Sequence, residues 1–243
     1  ARYGARFLEV RKMRDNLRIA FPAMSEDEIA AHVSSIIRNF GRVVGELPHL
    51  ASLRNSRRGA RLEIDDAAIA PVLAEGPVIF VGAHLGNWEA GPVAFSTMAR
   101  PVVNIYSNLG DAAVDGLLLA ARARAASGLT ERNRAIRVAL AAMGQGSNVA
   151  LLVDHRVSHG HLVPFFGEAA VTSHFPARLA IRFSRPVVPV WGERIGPVRY
   201  RVRFGVPLWP DPARSGEDQE IELTTRINLA LEAMIRRTPG GQC

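Results

Sequence analysis

The stretch Val78 to Gly91, VIFVGAHLGNWEAG, decides how the rest of the chain is read. Val78 to Val81 is a short continuous apolar run, the signature of a strand buried on both faces, and a helix is expected after Trp88. Between them Gly82, Gly86 and Asn87 supply the turn. Strand, tight loop and helix in this order make the repeating unit of a parallel sheet. The loop leaves the carboxyl end of its strand, the edge where open α/β sheets place their ligands.

The same alternation continues downstream. Strands are expected at Val102–Tyr106, Val149–Val153, Val187–Trp191 and Tyr200–Phe204, and helices near 112–126, 133–143, 174–184 and 217–237, with a short helix from Asp65 to Ala74 ahead of them. Upstream the pattern is helical. Residues 4–20 place Phe7, Leu8 and Leu17 among Arg11, Arg14 and Arg18, and this basic amphipathic segment stops at Pro22. Ser25 to Glu28, SEDE, has the form of a capping box that opens a helix running to about Glu46. The fold class is therefore α/β: a mixed, largely parallel sheet flanked by helices, with an N-terminal helical layer. One domain spans 1–243, divided into a basic helical part over 1–62 and an α/β core over 63–243.

Composition fits this reading. Hydrophobic residues make up 48% of the 243, enough for a substantial core and too many for extended disorder. The single cysteine, Cys243, excludes an internal disulfide framework and a multi-thiolate metal site. No apolar run reaches membrane-span length, and the opening ARYGARFLEV lacks the central apolar block of a signal peptide. Charge is uneven: residues 1–61 carry twelve basic side chains against six acidic ones, leaving +6 of the net +7 in the first quarter. Such a surface suits nucleic acid, anionic lipid headgroups or an acidic protein. The arginine cluster RNSRRGAR, 54–61, lacks aromatic interleaving or a recognisable reader module, so nucleic acid is not the expected partner.

His84 and Glu89 stand five apart. On one continuous helix they would lie about 140° apart around the axis, but a turn at Gly86-Asn87 lets His84 sit in the loop and Glu89 in the first helical turn, pointing back. Spacing alone leaves two readings open. In one, the carboxylate orients the imidazole, which acts as a general base. In the other, His84 satisfies a backbone group in a tight loop and Glu89 caps the helix.

The string GAHLGNWEAG resembles the His-x4-Asp/Glu motif of the late acyltransferases of lipid A biosynthesis, the lauroyl and myristoyl acyltransferase family. Further blocks match in order along nearly the whole chain: RDNLRIAFPAMSEDE, ARARAASG at 121–128, LLVDH at 151–155, VPFFGEAAVTS at 163–173 and ARLAIRFSRPVVPVW at 177–191. The resemblance implies a glycerolipid-acyltransferase-like fold in which His84 is the general base and Glu89 its partner. It implies Arg122 and Asp154 as further site residues, and Gly86 and Asn87 beside the pair as substrate contacts, with an amide near Gly86 a candidate oxyanion donor. Arg122 is the expected holder of a substrate phosphate or of the thioester carbonyl.

The implied reaction moves a fatty acyl group from acyl carrier protein to a hydroxyl of a Kdo-containing lipid A precursor, with no covalent acyl-enzyme, metal or cofactor. Acyl carrier protein and an anionic membrane surface are the implied partners. The implied location is the cytoplasmic face of the bacterial inner membrane, peripheral or anchored by a segment absent from this chain. Two alternatives stand beside it: an acyl-CoA-dependent acyltransferase of another glycolipid, such as a phosphatidylinositol mannoside, and a non-catalytic basic protein that binds membrane or nucleic acid.

Two further stretches are less informative. DHRVSHGH places His155, His159 and His161 where a hairpin would let them meet a metal, but a loop with several histidines is more often solvated. GQGSN, 144–148, joins a helix to a strand, the reverse of the order a phosphate loop requires.

Overall fold

The computed structural model describes residues 2–54, 61–106, 112–125, 129–131 and 135–237. Its centre is a seven-stranded sheet in the order β1-β9-β8-β2-β5-β3-β4. The strands are β1 (Leu62–Asp65), β2 (Ile79–Gly82), β3 (Val102–Tyr106), β4 (Leu129–Glu131), β5 (Asn148–Leu152), β8 (Val187–Gly196) and β9 (Arg199–Phe204). All neighbours run parallel except the β8–β9 pair. The mixed, largely parallel sheet read from the sequence is the one the structure contains.

β2 lies at the middle because its side chains serve two cores. Val78 and Phe80 join Val93, Phe95, Val188 and Tyr200 on one face, whereas Ile79 and Val81 join Val149, Leu179, Leu223 and Ile227 on the other. All four β2-run residues are fully buried, the burial that continuous apolar strands acquire when helices cover both faces. α5 (Ala90–Phe95) covers the first face; α7 (Ala135–Gly144), α8 (Phe175–Phe183) and α9 (Gly216–Arg237) cover the second.

The N-terminal layer holds α1 (Arg2–Ala20) and α2 (Glu26–Glu46). The capping box at Ser25 is present: its hydroxyl accepts from the Glu28 amide, and the Glu28 carboxylate accepts from the Ser25 amide at 2.8 Å. The helices meet through Leu17, Ile29 and Val33, with Val10 and Met13 beside them. The described apolar face of α1 is thus spent on α2 in this conformation, with Arg11 and Arg18 exposed. Among the described residues no helix is long and apolar enough to cross a membrane.

Several elements differ from expectation. The segment expected as a helix from Asp65 begins instead with β1, an edge strand on β9, and only Ala70–Glu75 (α4) is helical. LEID is too short and too charged to signal a strand, yet Glu63 is held by Arg199 and Arg201 across the pair. The family block VPFFGE, for which strand and helix spacing set no expectation, forms an antiparallel hairpin outside the main sheet, β6 (His161–Phe165) with β7 (Glu168–Thr172), turning at Phe166-Gly167. Most of the arginine cluster, including Arg57 and Arg58, and Cys243 lie outside the described residues.

Candidate active site

The parallel pairing of β2 with β5 builds the site. Gly82 pairs with Leu152, so the residues two positions further on, His84 and Asp154, emerge side by side at the carboxyl edge. Asp154 engages His84 twice: Oδ1 lies 2.9 Å from Nδ1, and Oδ2 accepts from the backbone amide at 2.8 Å. Asp154, rather than Glu89, is therefore the hydrogen-bond partner of the imidazole. A carboxylate only accepts, so the Nδ1 position carries the proton and Nε2 presents its lone pair.

The electrostatics follow from that contact. Burial pushes the His84 imidazolium down, but the hydrogen bond and charge of Asp154, with the charge of Glu89, outweigh it and hold His84 above the ordinary histidine value. Burial pushes Asp154 up, but the His84 ring, its charge and its backbone amide prevail, so Asp154 is held below the usual carboxylate range. Asp154 thus stays a carboxylate that orients the ring and stabilises the imidazolium formed when His84 takes a proton.

Glu89 serves a different partner. It immediately precedes α5 and is only 3% exposed. Its carboxylate receives Arg122 Nη2 at 2.6 Å and Nε at 3.0 and 3.1 Å. Arg122 comes from the last turn of α6 (Ala112–Ala125), and its guanidinium lies over the Tyr106 ring. A forked pair of this kind fixes the guanidinium plane. Both residues line the same cavity as His84.

Gly86 and Asn87 do not reach that cavity; they build the loop beneath it. Gly86 has φ +61 and bridges Gly192 of β8, and a Cβ placed there would meet the Gly192 carbonyl oxygen at 1.7 Å, so glycine is obligatory. Asn39 of α2 donates to the Gly86 carbonyl at 3.0 Å. Asn87 is completely buried; its Oδ1 accepts from the Glu89 amide and its Nδ2 donates to Glu46. Glu46, at the end of α2, also receives Arg194 and the Tyr200 hydroxyl. This polar network spans α2, the loop and β8–β9. Its distant residues, Asn39, Glu46, Arg194 and Tyr200, carry no local motif in the sequence.

Around the charged groups the wall is apolar. The cavity, about 700 Å³, is lined by Phe40, Val44 and Leu47 from the N-terminal layer, Phe80 and Phe95 from the core, and Leu118 and Ile136 from later helices. Trp88 sets its edge against the His84 ring and stacks on Phe40. A polar base beside a largely apolar cavity suits an amphiphilic substrate.

The histidine-rich loop resolves differently from its spacing. Among the described residues His161 meets His174 and Glu220, with ligand atoms within 4.8 Å of one another. Arg178 occupies the same Glu220 oxygen that His161 approaches. The Arg178–Glu220 ion pair, with His161 hydrogen-bonded to the same carboxylate, ties the hairpin to α9.

An α/β sheet with a His–Asp pair at the carboxyl edge, a buried Arg–Glu pair and an apolar cavity makes a site suited to general-base chemistry on an amphiphilic substrate. The profile of the family described as bacterial lipid A biosynthesis acyltransferase matches residues 1–241. The chain belongs to that family and is an acyltransferase. No curated protein matches it.

Proposed function

We propose that the protein transfers a fatty acyl group from an acyl carrier protein thioester to a hydroxyl of a Kdo-containing lipid A precursor. The observation that carries this reading is the His84–Asp154 contact at the edge of the apolar cavity. Nε2 of His84 takes the acceptor's hydroxyl proton as its oxygen attacks the thioester carbonyl. The tetrahedral oxyanion forms beside Arg122, whose guanidinium Glu89 holds in place. Collapse breaks the carbon–sulfur bond, and the imidazolium returns its proton to the departing thiolate. Acyl group and proton are both accounted for without a covalent acyl-enzyme.

Glu89 thus acts through Arg122, as well as adding negative charge near His84. The apolar lining suits the acyl chain, and the exposed α2 residues Ile37, Phe40 and Val44 extend that surface outward. A lipid acceptor delivered from the cytoplasmic face of a membrane suits this stripe, and the basic N-terminal quarter suits anionic headgroups and an acidic carrier protein.

The test is product identification. Purified protein incubated with acyl carrier protein thioester and a Kdo-containing acceptor should yield an acceptor heavier by one acyl group in the mass spectrum. Acylation from acyl-CoA alone, or only of a different glycolipid, would overturn the assignment of donor or acceptor.

A further inference from the structure

Two arginines line the cavity, Arg122 and Arg156. Arg122 is committed to Glu89 by three short contacts, which removes it as the free phosphate fork that the sequence suggested. Arg156 is different. It is exposed, lies two residues beyond Asp154 in the loop between β5 and β6, and makes no ion pair or side-chain hydrogen bond with another described residue. His159, exposed in the same loop, also lines the cavity.

The charge around the cavity makes this arginine stand out. Glu89 is taken by Arg122, and Asp154 turns both its oxygens to His84. Arg156 is therefore the lining arginine whose guanidinium no carboxylate holds among the described residues. An exposed guanidinium lining a cavity with apolar walls presents a planar fork to an incoming anion, and phosphate is the group it matches best. The cavity wall also includes His174, whose Nδ1 is buried without a hydrogen-bond partner.

We infer that Arg156, aided by His159, forms a phosphate-binding subsite that docks a phosphate-bearing substrate at the cavity while His84 and Asp154 act on its hydroxyl or thioester. The inference rests on the acyl-transfer reading for the meaning of the docking, but not for the binding itself. Because the Arg156 loop is also the Asp154 loop, the docked phosphate and the base share one short segment of chain. Two sources carry the required chemistry: the phosphodiester of a carrier's pantetheine arm, and a phosphate on the lipid acceptor.

The first measurement needs no turnover. Calorimetric titration of the full chain with inorganic pyrophosphate should show binding weakened about tenfold or more by Arg156→Ala, with partial recovery in Arg156→Lys. Circular dichroism should show all three proteins equally folded, as expected for an exposed side chain. Equal pyrophosphate binding by wild type and Arg156→Ala would overturn the subsite, whatever the enzyme acylates.

The second measurement assigns the source. KM is compared between acyl-phosphopantetheine and acyl-pantetheine donors, and between phosphorylated and phosphatase-treated acceptors. Arg156→Ala should raise KM about ten- to hundredfold for the phosphate-bearing member of one pair and leave its phosphate-free counterpart nearly unchanged. A change confined to the donor pair assigns the pantetheine phosphate, and one confined to the acceptor pair assigns the lipid phosphate. The same KM shift for phosphate-bearing and phosphate-free members of both pairs, or no shift in any, would contradict the inference. Loss of product with every substrate in wild type, while pyrophosphate still distinguishes Arg156→Ala, would sink the acyl-transfer reading and leave the anion subsite standing.

Discussion

His84 Nδ1 lies 2.9 Å from Asp154 Oδ1, and the two residues come from the ends of neighbouring parallel strands rather than from one motif. The contact makes pH a direct probe. Neutral His84 is the base, so activity falls as pH drops through its pKa, which Asp154 holds above the ordinary value of about 6.5. The acid limb of kcat/KM should lie above that value. Asp154→Asn removes the charge that raises it, so the limb should move to lower pH while plateau turnover drops about 10²–10⁴-fold. An unmoved limb in a folded variant would detach Asp154 from the base.

The Glu89–Arg122 pair should behave as a buried unit. Their side chains are 4% and 18% exposed, so removing one partner leaves a charge without compensation. Glu89→Gln or Arg122→Met should each cost about 3–5 kcal/mol in denaturant unfolding. The double variant should recover much of that stability and none of the turnover. Restored turnover in the double variant would remove both charges from the mechanism.

Gly86→Ala should be more damaging than its size suggests. The backbone is left-handed there, and the new methyl would collide with the Gly192 carbonyl oxygen. The left-handed conformation alone costs about 1–2 kcal/mol, and the collision forces the loop off β8. The expected outcome is a lowered unfolding midpoint together with lost activity, since His84 and Glu89 flank this turn.

Ser25→Ala provides the contrast. It removes the cap of α2, remote from the cavity, and should cost about 0.5–2 kcal/mol of stability with kcat unchanged. Equilibrium unfolding and steady-state kinetics on the same preparation separate the two effects.

The central strand and its loop were legible because continuous apolar residues, a glycine turn and a following helix leave local marks. The helix start at Ser25 was legible for the same reason. β1 was not, since Leu62–Asp65 becomes a strand only by pairing with β9 far along the chain, where Leu62 and Ile64 pack against the core. The site divides in the same way. His84, Glu89, Arg122 and Asp154 all came from motif and family resemblance, but their pairing did not. Glu89 is nearest to His84 in sequence, whereas strand register delivers Asp154 to the imidazole and α6 delivers Arg122 to Glu89. Counting two residues beyond the Gly82–Leu152 pair would have found the first contact, had the register been known. Gly86 and Asn87 were expected to touch substrate because they adjoin the histidine; burial turns them inward, toward Asn39 and Glu46.

The most direct test of acyl transfer through His84 is single-turnover product formation by His84→Gln with acyl carrier protein thioester and the Kdo-containing acceptor, followed by mass spectrometry. The glutamine keeps a polar side chain in the loop but has no basic nitrogen. The expected rate is at least about 10²-fold below wild type at neutral pH, in a protein of unchanged unfolding midpoint. A folded His84→Gln protein forming product at close to the wild-type rate would remove His84 from the chemistry.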